Sequence, residues 1–154
     1  MTFDPERGTC RCGAVEIEVS APPFMTMACH CRGCQRMTAS AFSLTMMVPA
    51  AALRVTKGDT VRGGIGGPMG DHRFCDACKS WLFTRFEGQD FVNVRPTMFD
   101  RPDWSRPFAD VQIDVALEVD GPVDEPFSCG HDDAAAAGAV ARAHFQVAPA
   151  EQQE

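Results

Sequence analysis

The sequence predicts a mainly β protein, built from twisted antiparallel sheets with little helix. Three observations support this prediction: the apolar segments are short, Pro, Gly or Asp separates most of them, and only two stretches have helical character. Many short strands with turn residues between them are typical of antiparallel β architectures. A chain of 154 residues with 45% hydrophobic residues also has the size and composition of one globular domain.

The clearest strand is predicted at residues 14–19, where apolar and polar side chains alternate. Val15, Ile17 and Val19 fall on one face of this strand, and the two glutamates between them fall on the other. Further strands are predicted at 24–28, 42–48, 81–86, 91–94 and 111–119. The glycine-rich segment 63–70 is too poor in side chains for regular structure and is predicted to be a loop.

The two stretches of helical character differ in kind. Residues 31–38 form a short turn, whereas 132–146 is alanine-rich, with Asp132 and Asp133 as candidate caps. Because alanine offers little apolar area for docking, the second stretch is predicted to be a marginal helix or a frayed tail. We therefore expect residues 1–128 to form the β domain and 129–154 to form an atypical C-terminal segment.

The charge and cysteine content exclude several classes of partner. The net charge is −7 and the cations are scattered, so the basic face that nucleic acid requires is not expected. No apolar run reaches the roughly 20 residues that span a bilayer, and no signal peptide is predicted. Eight cysteines without an export signal indicate a cytoplasmic protein whose thiols bind metal or take part in catalysis.

Two closely spaced cysteine pairs predict a structural zinc site. Cys10 and Cys12 form a CxC pair, and Cys75 and Cys78 form a CxxC pair. Because Zn²⁺ favours four tetrahedral ligands, a chelating pair from each of two distant segments completes a closed site. The alternative is that CxxC is a redox dithiol, but this pair does not lie at a βα junction.

A second group, Cys29, Cys31 and Cys34, predicts a catalytic zinc with an open position. Three thiolates within six residues leave a tetrahedral ion one ligand short, which distinguishes catalytic from structural zinc. His30 lies between two of these ligands, so an outer role is expected for it, and His72 is a weaker candidate for either site. Cys129 has no partner at ligand spacing and is interpreted as a spare thiol, with a reactive cysteine as the alternative.

These motifs resemble those of a known family, the glutathione-dependent formaldehyde-activating enzymes, which also includes the centromere protein V domain. The resemblance covers roughly residues 8–108. The motifs that carry it are Cys10-x-Cys12-Gly13, the segment 29–38, Phe74-Cys75-Asp76-Ala77-Cys78, and the segments 81–85 and 92–100. It implies an Mss4-like fold, and it implies the same division of the seven cysteines into structural and catalytic ligands. The chain departs from the family pattern at Lys79, where glycine is usual, and after residue 128, where a closing strand with a tryptophan is expected.

The resemblance further implies a carbon–sulfur lyase that adds a thiol such as glutathione to formaldehyde or a related aldehyde. Arg32 and Arg36 are candidates to receive the carboxylates of glutathione. One alternative is a module that uses zinc only to hold a protein-binding surface, because a fold does not determine a function. A further alternative is methionine sulfoxide reduction, with Cys129 as the reactive residue, although those proteins build their zinc site from two CxxC pairs.

Overall fold

A computed structural model describes residues 3–65, 70–100, 102–107 and 109–117. Ten strands form two sheets, one with the order β1-β2-β5 and one with the order β10-β3-β4-β9-β8-β7-β6. The only parallel pair in the described part of the chain is that between β10 and β3. The strands are β1 (Glu6–Thr9), β2 (Glu16–Val19), β3 (Met25–Cys29), β4 (Ser43–Pro49), β5 (Leu53–Lys57), β6 (Thr60–Arg62), β7 (Asp71–Cys75), β8 (Trp81–Arg85), β9 (Phe91–Val94) and β10 (Ala109–Val111). The predicted fold class, mainly β and consistent with an Mss4-like fold, is confirmed.

The smaller sheet buries the face that the alternation at residues 14–19 predicts. Val15, Ile17 and Val19 are essentially inaccessible to solvent. Glu18 lies on the opposite, polar face but is also buried, because it is flanked across the two strand pairs by Arg7 and Arg54. Both guanidinium groups donate hydrogen bonds to its carboxylate. The polar face of this sheet is therefore covered by an ion-pair network.

The larger sheet supplies most of the hydrophobic core. Residues of β4, β8 and β9 pack with those of the smaller sheet into one cluster, in which Met46, Leu82, Val92 and Val94 are fully buried. Cys10 and Cys75 belong to the same cluster, each with about 1% of its surface exposed. The first cysteine group is therefore anchored directly in the core.

The only α-helix in the described residues is α1 (Arg32–Thr38), between β3 and β4. Cys31 is its N-cap, and its sulfur accepts a hydrogen bond from the backbone N–H of Cys34. The helix ends at Ala39, which adopts a left-handed backbone conformation with φ of 50°. The helix predicted at 31–38 is confirmed, and it fixes the spacing of the second cysteine group. The part of the chain that the structure describes also contains four 3₁₀ turns: Ala50–Ala52, Pro96–Met98, Pro102–Ser105 and Ile113–Val115.

The strands predicted at 14–19, 24–28, 42–48, 81–86 and 91–94 are confirmed within one or two residues at their ends. The strand predicted at 111–119 is wrong over residues 112–117, and residues 118 and 119 lie outside the described ranges. Gln112 adopts a left-handed conformation with φ of 58°, which ends β10, and a 3₁₀ turn follows. Consistent with this, Ile113 and Leu117 are largely exposed. Four strands, β1, β5, β6 and β7, were not predicted.

No helix within the described ranges is long and apolar enough to cross a membrane. Several predictions fall on residues outside those ranges. They are residues 66–69 of the glycine-rich loop, the boundary between residues 128 and 129, the helix at 132–146, and Cys129.

Candidate functional site

The first cysteine group comes together where the two sheets meet. Cys10 and Cys12 follow β1, Cys75 ends β7, and Cys78 lies in the turn before β8. Their four sulfurs all lie within 4.8 Å of one another, with 3.6 Å between Cys10 and Cys12 and 3.8 Å between Cys12 and Cys75. A tetrahedron with Zn–S bonds of about 2.3 Å has edges of about 3.8 Å. The sulfurs therefore have the spacing that a four-coordinate metal ion requires.

The electrostatics of this group also favour a cation. The pKa of Cys78 is lowered to about 5, chiefly by hydrogen bonds from the hydroxyl and N–H of Ser80. Although the N–H of Ala14 acts to lower the pKa of Cys12, the sulfurs of Cys78 and Cys10 raise it to about 11. The neighbouring sulfurs thus oppose the ionisation of Cys12, and a bound cation would remove that opposition. This group could hold a metal ion.

The turn after the second pair contains Lys79, at the position where the resemblance predicts glycine. Lys79 adopts a left-handed conformation with φ of 58°, the region that glycine occupies at low cost. Its N–H donates to the carbonyl of Cys75 at 3.0 Å, and its Nζ lies 2.6 Å from a carboxylate oxygen of Asp76. Lys79 therefore carries backbone strain that a glycine would avoid.

The second group consists of Cys29 at the end of β3, the cap residue Cys31, and Cys34 in α1. Their sulfurs also lie within 4.8 Å of one another, and no fourth His, Cys, Asp or Glu of the described residues joins them. Burial and the neighbouring Cys29 sulfur together raise the pKa of Cys34 to about 12, although the hydroxyl of Ser43 acts to lower it. The pKa of Cys31 is lowered because the N–H of Cys34 and the neighbouring sulfurs outweigh its burial. This group is a three-sulfur site with space for an outside ligand.

A cavity of about 320 Å³ opens onto the second cysteine group. Side chains from β3, β4, α1, β8 and β9 surround it, so the large sheet and the helix build it together. Besides the three cysteines, its lining consists of Met27, Gly33, Met37, Thr45, Ile65, His72, Trp81, Thr84, Phe86, Asn93 and Arg95. One end is polar, and the remainder is mostly apolar. Concave apolar sites with a few convergent polar groups are typical of small-molecule binding.

Arg95 brings a buried positive charge to this cavity. Only 6% of its surface is exposed, and its guanidinium lies 3.4 Å from the ring centroid of Trp81. Its Nη1 donates to Ser43, to the carbonyl of Leu44 and to Thr45. Burial lowers the pKa of Arg95 to about 10, although the charges of the Cys34 and Cys29 sulfurs act to raise it. The guanidinium therefore stays protonated at neutral pH.

Arg95 forms no ion pair with a carboxylate within the described residues. Its Nε and the Oδ1 of Asn93, which also lines the cavity, are buried without hydrogen-bond partners. An unsatisfied buried polar atom costs about 1–3 kcal/mol, and an unpaired buried charge costs more. Anionic sulfur and a bound ligand in the cavity would offset these costs.

His72 presents a hydrogen-bond donor to the same cavity. Its Nδ1 lies 2.8 Å from Oγ1 of Thr84, which already accepts a hydrogen bond from the indole N–H of Trp81. The hydroxyl hydrogen of Thr84 is available for donation to Nδ1, and in that arrangement the neutral imidazole carries its proton on Nε2. Burial, and then the charge of Arg95, lower the pKa of His72, which keeps the ring neutral.

A family model described as glutathione-dependent formaldehyde-activating enzyme matches residues 5–114. The chain belongs to this family. A crystal structure of a protein from Rhodobacter sphaeroides, from a structural genomics programme, is similar at 23% sequence identity with a TM-score of 0.54. The similarity covers 68% of this chain and 98% of that one, and it concerns the fold. No curated protein sequence gives a significant match.

The family match includes both cysteine groups, and the structure brings the predicted residues together as the sequence divides them. His30 lies outside the sulfur cluster, with its Nε2 2.9 Å from a carboxylate oxygen of Asp110. Arg32 and Arg36 do not line the cysteine cavity. They line a separate cavity of about 530 Å³, where Arg32 Nη1 donates to Oε1 of Gln35. Their role with glutathione stays a prediction.

Several polar residues of the cysteine cavity were not predicted from the sequence. Thr84, Asn93 and Arg95 lie in or beside strands that otherwise consist of core residues, and only the sheet order brings β8 and β9 beside the cysteines. One signal was available, since Asn93 and Arg95 alternate with the buried Val92 and Val94. Polar residues at every second position of an apolar strand point to a site on that face.

Proposed function

We propose that this protein binds two zinc ions and catalyses the reversible addition of a thiol, such as glutathione, to formaldehyde or a related aldehyde. The four-sulfur group of Cys10, Cys12, Cys75 and Cys78 would hold a structural ion. The three-sulfur group of Cys29, Cys31 and Cys34 would hold a catalytic ion. One observation carries the proposal: the three-sulfur group opens onto a cavity that also contains the neutral imidazole of His72 and the buried guanidinium of Arg95.

The residues at the three-sulfur site suit a zinc ion with one exchangeable position. All three are thiols, the ligands that zinc prefers, and short hydrogen-bonded segments fix their spacing. When bound, the metal supplies Lewis acidity, which favours the thiolate form of a thiol or polarises a carbonyl oxygen. Three thiolates with one divalent cation carry a formal charge of about −1, which the buried guanidinium of Arg95 would balance.

The protein's own side chains would orient the two reactants. In the addition, the thiol sulfur bonds to the carbonyl carbon, the C=O π bond opens, and the thiol proton is transferred to the oxygen to give an S-hydroxyalkyl adduct. His72 Nε2–H would donate to that oxygen as negative charge develops on it. Thr84 would hold the imidazole in the required tautomer, and enclosure of both reactants would raise their effective concentration.

The cavity favours an enzyme over a module that uses zinc only to hold a protein-binding surface. A purely structural role would need neither an incomplete ligand set nor an unpaired buried cation facing it. The methionine sulfoxide reductase alternative depends on Cys129, which lies outside the described residues. We place the activity in a reducing, cytoplasmic compartment, where seven free thiols can persist as ligands.

Magnetisation-exchange NMR of formaldehyde and glutathione tests the proposal. With zinc-loaded protein, the exchange rate between free and adduct formaldehyde should rise in proportion to protein concentration above its value in buffer. Cys31→Ser should abolish the increase, and Arg36→Ala, which leaves the cysteine cavity intact, should lower it through loss of the predicted glutathione contact. An exchange rate equal to that of buffer with fully loaded protein would refute the proposed activity.

A further inference from the structure

The cysteine cavity is much larger than the aldehyde for which the family is described. Formaldehyde has two heavy atoms, and a water molecule, with one, occupies about 30 Å³ of liquid. The cavity has a volume of about 320 Å³, which lies at the lower end of the range for drug-sized ligands. Formaldehyde alone would leave most of this volume unfilled.

The walls of the cavity away from the thiols are apolar. Met27, Met37, Ile65, Trp81 and Phe86 contribute side chains from five different segments of the chain. No Asp or Glu of the described residues lines the cavity, and its one cation, Arg95, already donates through Nη1 to Ser43, to the carbonyl of Leu44 and to Thr45. The charged ends of glutathione, one ammonium and two carboxylates, therefore have few matching groups inside it.

We propose that the enzyme acts on adducts with an extended apolar substituent, in preference to the formaldehyde adduct. This inference rests on the function proposed above. The carbonyl carbon would lie beside the sulfur of the thiol at the cysteines, with its oxygen toward His72. The substituent would then extend along the wall formed by Met27, Met37 and Phe86. The reaction is R–CHO plus R′–SH giving R–CH(OH)–SR′, with one S–C bond formed and the thiol proton transferred to oxygen.

The size of the preference follows from the hydrophobic effect. Each methylene transferred from water to the cavity wall should raise kcat/KM by about fourfold. The increase should level off when the substituent fills the cavity. The same chemistry applies whether the apolar group belongs to the aldehyde or to the thiol, and the two sources are separable by experiment.

The test measures adduct formation with a short thiol and a series of unbranched aldehydes from formaldehyde to octanal, each divided by its uncatalysed rate. We expect this ratio to rise with chain length and then to level off. A second series combines formaldehyde with alkane thiols of increasing length. If the ratio rises only in the aldehyde series, the apolar group belongs to the aldehyde. If it rises only in the thiol series, the apolar group belongs to the thiol. Flat or falling ratios in both series would overturn the inference.

A matched pair of variants places the effect in this cavity. Met37→Gln keeps the length of the side chain but introduces an amide at the wall, so the preference for hexanal over formaldehyde should fall about three- to tenfold. Met47 is also a half-buried methionine, but it does not line the cavity, so Met47→Gln should retain the preference. An equal loss in both variants would contradict the assignment.

A binding measurement keeps this inference separate from the proposed activity. Because Trp81 lines the cavity, its fluorescence should report ligands without turnover. S-hexylglutathione should bind more tightly than S-methylglutathione, by at least tenfold. Tighter binding of the hexyl compound without acceleration for any aldehyde would refute the proposed activity and support the apolar site. Acceleration with formaldehyde, together with equal binding of the two compounds, would refute the apolar site alone.

Discussion

Replacing Cys78 by Ser should remove the proposed structural zinc and, with it, much of the stability. The substitution changes the volume of the side chain little, but it takes one of four sulfurs from a cluster with edges of 3.6 and 3.8 Å. Structural zinc sites bind their ion with about 10–16 kcal/mol in peptides, comparable to the whole stability of a domain, about 5–15 kcal/mol. A loss of about 5 kcal/mol would lower Tm by about 10–20 °C.

Cys31→Ser is the matched control for this prediction. Cys31 caps α1 by accepting a hydrogen bond from the Cys34 N–H at 3.4 Å, and a serine oxygen can accept the same bond. We expect the variant to lose about one zinc per chain and to keep Tm within about 3 °C of the wild type. Elemental analysis and thermal unfolding followed by circular dichroism measure both quantities. Equal loss of Tm in the two variants would refute the division into structural and catalytic sites.

Three further predictions concern single contacts. Thr84→Val removes the partner that fixes the tautomer of His72, so kcat/KM should fall about tenfold at unchanged zinc content, and nitrogen NMR should show loss of the Nε2–H form. The hydrogen bond from Arg54 is the main cause of the lowered pKa of Glu18. The ionised Glu18 therefore stabilises the folded state at pH values above 4.5, the pKa of the carboxyl group in the unfolded chain. This stabilisation is lost as the pH falls through the lower pKa of the folded state. Glu18→Gln should therefore lower Tm at neutral pH and flatten its fall below pH 4.5, and an unchanged acid profile would contradict the ion-pair assignment. Lys79→Gly should raise the free energy of unfolding by about 0.5–1 kcal/mol, because the backbone strain that it relieves in the folded state exceeds the entropy that glycine adds to the unfolded chain. A lower free energy of unfolding in a denaturant titration would contradict this.

The sequence predicted both cysteine groups because metal ligation imposes short, recognisable spacings. The CxC and CxxC pairs, and the three thiols at 29, 31 and 34, are local patterns that do not depend on the rest of the fold. Alternation likewise predicted β2, whose buried Ile17 and Val19 face the core. Where residue type directly determines local chemistry or periodicity, prediction from the sequence was reliable.

The errors arose where tertiary context decides the structure. Residues 111–119 alternate like a strand, but a left-handed Gln112 ends it, and a single sequence does not reveal that backbone choice. Strands β6 and β7 contain several polar residues and are stabilised by pairing with their neighbours rather than by an apolar face. The polar end of the cavity depends on the order of β4, β9 and β8, which local patterns do not encode.

Cadmium-113 NMR of the fully substituted protein tests the central claim, that one sulfur site is complete and the other accepts an external ligand. Two resonances are predicted, one for the group of Cys10, Cys12, Cys75 and Cys78 and one for the three-sulfur group. Titration with a thiol should shift only the second resonance, toward the position of the first, as a fourth sulfur binds. A single resonance, or two resonances that both stay unchanged when thiol is added, would contradict the account.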